Sequence, residues 1–539
     1  MLQPRLFNYL SVCEQFIASL QLFWSTTNYT IAFSNYRLIH FRYLIATTLI
    51  LAISQIAQSQ NFELAENTPF YDLRAGDVDF SDVDNDGDYD ILLVGNRNES
   101  DLAQPDNFIA ILYENDGMGN FSEVSGTPFI GLQESTVAFA DVDGDNDEDV
   151  MISGIDYLFD QYTRLYLNDG NGNFSIVPSN PFTDVYAGDI VFADVDEDED
   201  LDVFIAGSTV AFQTISYSGL YINDGAGGFT EKANTPFANV QDASIGVSDF
   251  DLDGDLDMLL LGVSEVPAPI TQAYINDGLG NYTIATNYSF EQLSSGDIQF
   301  SDTDNDGDED LLIAGTNDGG LTPYTSLYEN DGTGNFTVVQ NPAIVDLKWV
   351  SSLFFDFDND GDEDLIMTGK TGTDPWIFGD EGVETFLFSN DGNGVFEEVE
   401  NHPIPPIYFG NMASADFNGD NFNDIFITGK FDNAPTHYSE LFFSTAIVSS
   451  LDQNQSSTAF NIYPNPAYDK IFIDRKNSES SLIEIFTMAG VRVHSIQSMG
   501  NHLEEMYITK LPEGIYTVKV QTDTGDVSVK KFIKNSIQK

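Results

Sequence analysis

Between residues 60 and 447 the pattern of apolar and polar positions repeats one phrase seven times. A short apolar stretch, such as Val137–Ala140, leads into an acidic segment. A second apolar run follows and ends in glycine, as in Ile91–Gly95, Val150–Gly154 and Leu311–Gly315. After a variable stretch comes a third run and a tight polar turn, Tyr113-Glu-Asn-Asp-Gly-Met-Gly-Asn-Phe121. The turn recurs at Tyr166–Phe174, Tyr221–Phe229, Tyr274–Tyr282, Tyr328–Phe336 and Phe388–Phe396. Asn-Asp-Gly between aromatic and β-branched runs is a hairpin signature, because glycine supplies positive φ. A fourth run then passes a Pro-Phe corner (Pro128-Phe129, Pro181-Phe182, Pro236-Phe237) into the next unit. The runs are short and lack a 3.6-residue period, so each unit predicts four strands, the content of a propeller blade.

The acidic segments begin at Asp82, Asp141, Asp194, Asp249, Asp302, Asp356 and Asp416, at intervals of 53 to 60 residues. Self-similarity at a fixed period marks a repeat architecture whose units cannot bury their apolar faces alone. The predicted fold is therefore all-β, a seven-bladed propeller over residues 60–447. The seventh unit reaches a third strand at Glu440–Ser444 but lacks the turn and a fourth strand. The missing strand stands at the other end, where Asn61–Phe70 matches the Asn-Phe…Pro-Phe segment of complete units. Pairing the two would close the ring and remove an open edge.

Six of the seven acidic segments place carboxylates at positions 1, 3, 5 and 9, the seventh having Asn418 at 3, and glycine usually stands at 6. Positions 1, 3 and 5 aim oxygens inward, the glycine allows a sharp turn, and a backbone carbonyl near 7 would add a ligand. Six or seven oxygens suit Ca²⁺, whereas Mg²⁺ holds its waters in a tight octahedron. The candidate metal ligands are Asp82, Asp84, Asp86 and Asp90; Asp141, Asp143, Asp145 and Asp149; Asp194, Asp196, Asp198 and Asp202; Asp249, Asp251, Asp253 and Asp257; Asp302, Asp304, Asp306 and Asp310; Asp356, Asp358, Asp360 and Asp364; and Asp416, Asn418, Asp420 and Asp424. No Cys or His stands among them, which argues against zinc and copper. Asn146 and Glu199 replace the turn glycine in loops two and three, and only the asparagine tolerates positive φ well. Loop seven has three acids where loop three has seven, and is expected to bind most weakly. Asp306→Ala is expected to remove one ion and loosen one blade only.

These repeats resemble the FG-GAP/VCBS family, whose best-known members are the integrin α-subunit propellers. The resemblance implies Ca²⁺ in loops between the first and second strands, on one face of the disc. It also implies that the variable segments share the opposite face.

The ends add two further segments. Residues 1–59 read as an N-terminal extension and signal peptide: Arg37 and Arg42, an apolar run over 44–56, then Ala57-Gln58-Ser59. The run is short for a membrane span. The only cysteine, Cys13, lies in this removable part, so no disulfide staples the mature chain. Residues 448–459 are small and polar, a linker. Residues 460–539 predict about seven strands in a small β-sandwich. Tyr463-Pro-Asn-Pro466, Gly490-Val-Arg492, Leu511-Pro-Glu-Gly-Ile-Tyr516 and Lys530-Lys-Phe-Ile-Lys534 resemble the C-terminal sorting domain of type IX secretion substrates. That resemblance implies contact with the type IX machinery, export across a Bacteroidota-type outer membrane, and a final place outside the cell or on its surface.

Charge separates the parts. Residues 60–458 hold 77 acids and seven bases, and 38 of the acids lie in the loops. So anionic a surface excludes nucleic-acid binding. No catalytic residues are assigned: there is no Gly-x-Ser-x-Gly, His-Glu-x-x-His or phosphate loop. His402 reads as corner structure and His437 as part of a variable loop. Tyr157, Phe159 and Tyr162, with Trp376 and Phe378, are aromatics of the variable segments, suited to sugars or protein partners or to packing between blades. The expected function is a secreted or cell-surface, calcium-binding, non-catalytic adhesion or ligand-binding module, its ligand an extracellular protein or glycan. The alternative is a calcium-dependent polysaccharide-acting enzyme such as a lyase, with Tyr162 or Lys370 as a base beside the metal.

Overall fold

A computed structural model describes residues 61–445 and 460–534 apart from short internal stretches, the longest being 98–103, 373–381 and 431–436. The signal-peptide segment, the linker, Trp376 and Phe378 lie outside the described residues. Contacts divide the chain into two compact units, Met1–Ile447 and Val448–Lys539.

The first unit contains seven four-stranded antiparallel sheets in a propeller-like all-β arrangement. The first strands are Arg74–Ser81, Gln133–Ala140, Tyr186–Ala193, Val240–Ser248, Ser294–Ser301, Lys348–Phe355 and Tyr408–Ala415, in sheets one to seven. Each packs against the first strand of the next sheet, and the seventh against the first, which closes a ring. The second strands (Asp90–Asn96 in sheet one, Asp149–Ile155 in sheet two) are buried along their whole length, because both of their faces meet neighbouring sheets. Cores form between sheets accordingly: Met151 and Leu165 of sheet two meet Val203, Ile205 and Tyr221 of sheet three. The corner phenylalanines wedge these cores. Phe129, Phe182 and Phe237 each meet a third-strand tyrosine edge-on, at 5.0–5.2 Å between ring centres.

Ring closure follows the sequence pattern. Asn61–Leu64 pairs antiparallel with the last strand of sheet seven, Asn61 opposite Thr445 and Leu64 opposite Phe442. That last strand begins at His437, so this histidine opens a strand opposite Lys430 and is not a loop residue. Tyr162 likewise lies within the strand Gln161–Leu167, while Tyr157 and Phe159 stand in the connection before it. The sequence hides both positions, since a strand's first polar residues look like the loop they leave.

Every first strand starts with a bulge that the periodicity does not announce. The pairing register slips between Arg74 and Asp77, and at the equivalent place in each sheet. One residue per bulge takes a left-handed conformation: Ala75, Glu134, Ala187, Asp242, Ser295, Trp349 and Phe409, with φ of 45–51°.

Below the bulges runs a belt of polar joints. Asp77 accepts hydrogen bonds from the backbone N–H of Val78 in its own sheet and Val137 in the next, at 2.9 and 2.8 Å. Asp189 does the same to Ile190 and Ile245, and Asp297 to Ile298 and Ser352. Aspartates therefore stand on sheets one, three and five and bridge forward to two, four and six. Seven is odd, so an aspartate on sheet seven would face Asp77. Asn411 stands there instead, and its amide donates to Asp77 Oδ1.

The second unit has a three-stranded sheet (Phe460–Tyr463, Lys470–Arg475, Leu503–Tyr507) and a four-stranded one (Ser480–Thr487, Arg492–Met499, Gly514–Thr522, Val527–Lys534). Ile471, Ile473 and Met506 of the first share a core with Ile483, Ile485, Tyr516 and Val518 of the second.

Candidate metal centres

Each acidic loop joins the first strand to the second, and the Asn-Asp-Gly turns join the third to the fourth. Strands alternate in direction, so loops and turns lie at the same end of sheets one to six. Within a loop the position-1 carboxylate organises the backbone. Asp82 accepts from the N–H groups of Asp86 and Gly87 at 2.9 and 3.0 Å, and Asp416 accepts from those of Asp420 and Asn421 at 3.0 and 2.7 Å. The five loops between use the same two bonds. Position 6 has positive φ throughout. Glu199 (φ 71°) adopts it despite its side chain, so loop three keeps the common shape under strain. Position 4 is left-handed as well, from Asn85 (59°) to Leu252 (55°), a requirement the sequence reading did not see.

Carboxylates at positions 1, 3 and 5 come together. Asp82, Asp84 and Asp86 can offer oxygens within 4.8 Å of one another; so can Asp194, Asp196 and Asp198, then Asp249, Asp251 and Asp253, and Asp302, Asp304 and Asp306. In loop two the convergent set is Asp141, Asp143 and Asp149, position 9 taking part. The decisive atom is at position 3. Oδ1 of Asp84, Asp143, Asp196, Asp251, Asp304 and Asp358 is buried with no hydrogen-bond partner. A buried, unpartnered carboxylate oxygen is costly unless a cation meets it. Burial, then the neighbouring carboxylates Asp86 and Asp82, raises the proton affinity of Asp84, and the same causes push Asp358 up to about 6. An all-oxygen donor set with an orphaned atom fits a hard cation.

Loop seven differs at that atom. Asn418 occupies position 3, and its amide nitrogen turns to Asp424 Oδ1 at 3.4 Å. The loop thus supplies internally the positive partner that the others lack.

Position 9 plays a second part. Asp90 accepts from the N–H of Val83 in its own loop at 3.1 Å, and from Asn115 in the Asn-Asp-Gly turn at 2.8 Å. Asp149, Asp202, Asp364 and Asp424 repeat both contacts. Burial pushes Asp90 and Asp149 up to about 7, and Asp364 and Asp424 up to about 8, against those hydrogen bonds.

Two sets of residues escaped the sequence reading. Position 7 is Asp in six loops (Asp88, Asp147, Asp200, Asp255, Asp308, Asp362), where only a backbone carbonyl was expected. These side chains lie against the first glycine of their own sheet's turn, so a Cβ on Gly170, Gly225 or Gly278 would collide with them. Oδ1 of Asp88 and Asp308 is buried and unpartnered, which adds them to the possible ligands. The turn asparagines are the other set. Asn168 Nδ2 donates to the carbonyl of Val83 in the preceding loop at 2.8 Å, Asn223 to Val142 at 2.8 Å, and Asn390 to Thr303 at 2.7 Å. Asn115 reaches Phe417 of loop seven, and Ser444 takes the asparagine's role where the turn is missing, donating to Phe357 at 3.2 Å. The joints therefore run round the whole ring. Recurrence of Asp at 7 and Asn at the turn was visible in the sequence, but position 7 was read only for its backbone carbonyl and the asparagine only as a turn residue.

A family model described as FG-GAP-like repeat matches residues 82–152 and 302–367. A second, described as secretion system C-terminal sorting domain, matches residues 461–535. The chain carries FG-GAP-like repeats and a type IX sorting tail. Such a tail directs export to the cell surface or beyond and engages the type IX machinery. No curated protein matches significantly. A solved structure titled "Biofilm associated protein - BSP domain" is similar at 12% identity over 90% of this chain and 99% of its own, with a TM-score of 0.13, too low to carry any argument. Among the described residues no helix is long and apolar enough to cross a membrane.

Proposed function

We propose that this exported chain is a calcium-stiffened recognition module, non-catalytic, that binds an extracellular glycan or protein through the face away from its acidic loops. The observation that carries the calcium reading is the orphaned position-3 oxygen, repeated in six loops and replaced by an internally satisfied asparagine in the seventh. The proposed ligands are the aspartates at positions 1, 3, 5 and 9 of loops one to six. Filling those sites would relieve the carboxylate repulsion that otherwise loosens each loop. The sites lie where loops clasp neighbouring turns, so the ion's task is to hold the ring and leave the opposite face free to vary.

Geometry weighs against the lyase alternative in the form that uses a loop calcium. Lys370 ends the seven-residue strand that Asp364 begins, and Tyr162 pairs with Gly154 near the end of the strand that Asp149 begins. At ~3.3 Å per residue these groups stand about 15–20 Å from the loops, too far to act as a base beside that metal.

Native mass spectrometry after calcium titration tests the reading. Six ions are expected, with a melting temperature many degrees lower in EDTA. A chain that takes up no calcium, or melts unchanged without it, refutes the stiffening role; a seventh ion refutes the account of loop seven.

A further inference from the structure

The corners that lead into the first five sheets follow one plan. A phenylalanine ring stands edge-on against a third-strand tyrosine: Phe70 on Tyr113, Phe129 on Tyr166, Phe182 on Tyr221, Phe237 on Tyr274 and Phe290 on Tyr328. Ring centres lie 5.0–5.2 Å apart and the planes cross at 74–88°. The tyrosine hydroxyl can also accept from the corner backbone, as Tyr221 does from the Thr183 N–H and Tyr274 from the Ala238 N–H, both at 2.9 Å. The corner into sheet six changes both partners. Ile344 stands three residues before Leu347, where Phe290 precedes Leu293 and Phe129 precedes Leu132, and Phe388 replaces the tyrosine. The corner into sheet seven makes the same exchange with Ile404 and Phe442, but Ile404 is buried in a core with Phe62 and Phe357. Ile344 is only half-buried.

A cavity of about 420 Å³ adjoins it. Leu327, Val338, Val339 and Ile344 form its apolar side, Ser326 and Asn341 part of its polar side, and among the described residues no charged side chain lines it. Two of these walls identify the place. Leu327 accepts from the Val339 N–H at 2.9 Å, as Leu112 does from that of Val124, and Leu112 and Val124 share a core with the Phe129 ring. The cavity is therefore bounded by residues whose equivalents hold a corner ring. Isoleucine does not fill the space of a phenyl group, and walls without a packing partner forfeit dispersion contacts. Asn341 adds a polar feature. Its Oδ1 accepts from the Ala343 N–H at 3.1 Å, while its Nδ2 is buried and has no hydrogen-bond partner. A buried donor without an acceptor is costly. Val338, 47% exposed, marks where the cavity meets the surface.

We propose that this cavity receives an aromatic side chain, phenylalanine or tyrosine, presented by an extracellular protein partner. The partner's ring takes the place that the chain's own phenylalanines take at the other corners, against Leu327, Val339 and Ile344. An apolar cavity of about 150 Å³ suffices to bind benzene, so this one admits a ring together with the stem that carries it. A tyrosine brings in addition an oxygen that can accept from Asn341 Nδ2. Walls without charge suit a neutral ring and give no counter-ion to an acidic or basic group. A sugar fits them less well, because its many hydroxyls would face aliphatic side chains unpaired. The site lies on the outer, third and fourth strands of sheet five, so it adds a contact to the variable face proposed above and does not depend on it.

Saturation-transfer NMR titrations of the full chain, in calcium-containing buffer, test it with four probes: N-acetyl-tyrosinamide, N-acetyl-phenylalaninamide, N-acetyl-leucinamide and methyl glucoside. Both aromatic amides are expected to bind roughly tenfold more tightly than the other two, the tyrosine amide the better of the pair. Ile344→Phe supplies the missing ring from within, so it should weaken both aromatic amides by roughly tenfold and leave the melting temperature equal or higher. Ile344→Ala widens the cavity and should bind N-acetyl-tryptophanamide several-fold more tightly than the wild type does; this variant decides the matter if Ile344→Phe does not fold. Failure of both aromatic amides to bind overturns the inference. Methyl glucoside bound as tightly as the aromatic amides overturns the protein partner in favour of a glycan, and leucinamide bound as tightly overturns the requirement for a ring. Aromatic binding that neither substitution alters places the site elsewhere and overturns the assignment of this cavity. A screen of glycans and matrix proteins decides the recognition role of the variable face separately.

Discussion

Asn411→Asp changes the ring of first strands at one atom pair. The Asn411 amide donates to Asp77, and its oxygen accepts from Ser351 Oγ at 3.1 Å and from the Met412 N–H at 2.8 Å. Aspartate has the same shape and keeps the accepting oxygen, but replaces the amide donor with a second carboxylate oxygen. Asp77 is buried, and burial already pushes it up to about 6. Two ionised carboxylates about 3 Å apart at an effective dielectric of 20 repel by about 5 kcal/mol. The folded variant avoids that by keeping one shared proton, which donates where the amide did.

The pH dependence then has a definite sign. The unfolded chain releases that proton near the ordinary aspartate value of 3.8, whereas the folded pair retains it above 6. The folded state therefore binds more protons than the unfolded one, and stability falls as pH rises, by about 1.4 kcal/mol per unit for one proton. Wild-type Asp77 completes its own titration around pH 6, so the difference between the two proteins opens above that. Asn411→Asp should match wild type closely at pH 5 and lose about 3 kcal/mol more than it between pH 6 and 8. Urea unfolding at saturating calcium, followed by fluorescence at pH 5, 6, 7 and 8, measures this. Asn411→Ala removes a donor that favours the charged form of Asp77 without adding a second charge, so its cost should also grow above pH 6, but by less than that of Asn411→Asp. A penalty for Asn411→Asp that stays constant from pH 5 to 8 would show that no second charge meets Asp77, and the belt of joints would be misread.

Three further substitutions probe other joints, each by thermal and urea melts. Asn168→Ala leaves the Glu148 carbonyl without its side-chain donor and Val83 with only the Gly172 N–H, and should cost about 1–3 kcal/mol; an unchanged midpoint would mean the turn asparagines do not fasten neighbouring sheets. Glu199→Gly relieves the left-handed strain in loop three while keeping the N–H that Asp194 accepts, and should stabilise by roughly 0.5–1 kcal/mol; destabilisation would mean the Glu199 side chain has a role of its own. Phe62→Ala empties a buried site on the strand that completes sheet seven, beside Phe357 and Phe442, and should cost about 3–5 kcal/mol and promote aggregation through the exposed edge; a soluble variant of wild-type stability would deny that strand its closing role.

What the sequence reveals here is whatever each unit repeats within itself. Spacing alone placed the seven loops, the turns and the closing strand, because each is a local device whose residue types have local causes. Joints between units were legible only as coincidence. Asn168 satisfies a turn preference whether or not it reaches Val83, and Asp77 is one of several polar residues in the strand Arg74–Ser81 until Val137 and Asn411 stand beside it. The bulges were hidden for the opposite reason: their left-handed position carries Ala, Glu, Asp, Ser, Trp or Phe, with no shared residue type to give it away.

The same joints revise the expectation that Asp306→Ala loosens one unit. Asp306 Oδ1 accepts from the Asp308 N–H at 3.3 Å and lies with Asp302 and Asp304 in the candidate site. The loop it shapes also grips sheet six. Asn305 Nδ2 donates to Asp362 of loop six at 2.9 Å, and the Thr303 carbonyl accepts from Asn390 Nδ2 at 2.7 Å and from the Gly394 N–H at 3.0 Å. Losing one ligand and its ion should therefore free the 390–394 turn together with residues 302–310. If the loss of local stability is about 1.4 kcal/mol, amide exchange there rises roughly tenfold. Sheets two and three, joined to loop five by none of these bonds, should exchange as before. Hydrogen-exchange mass spectrometry separates the two accounts: faster exchange confined to residues 302–310 means the joints transmit nothing and each loop is an independent cage, whereas spread into sheet six alone means an ion bound in one loop steadies the next sheet round the ring.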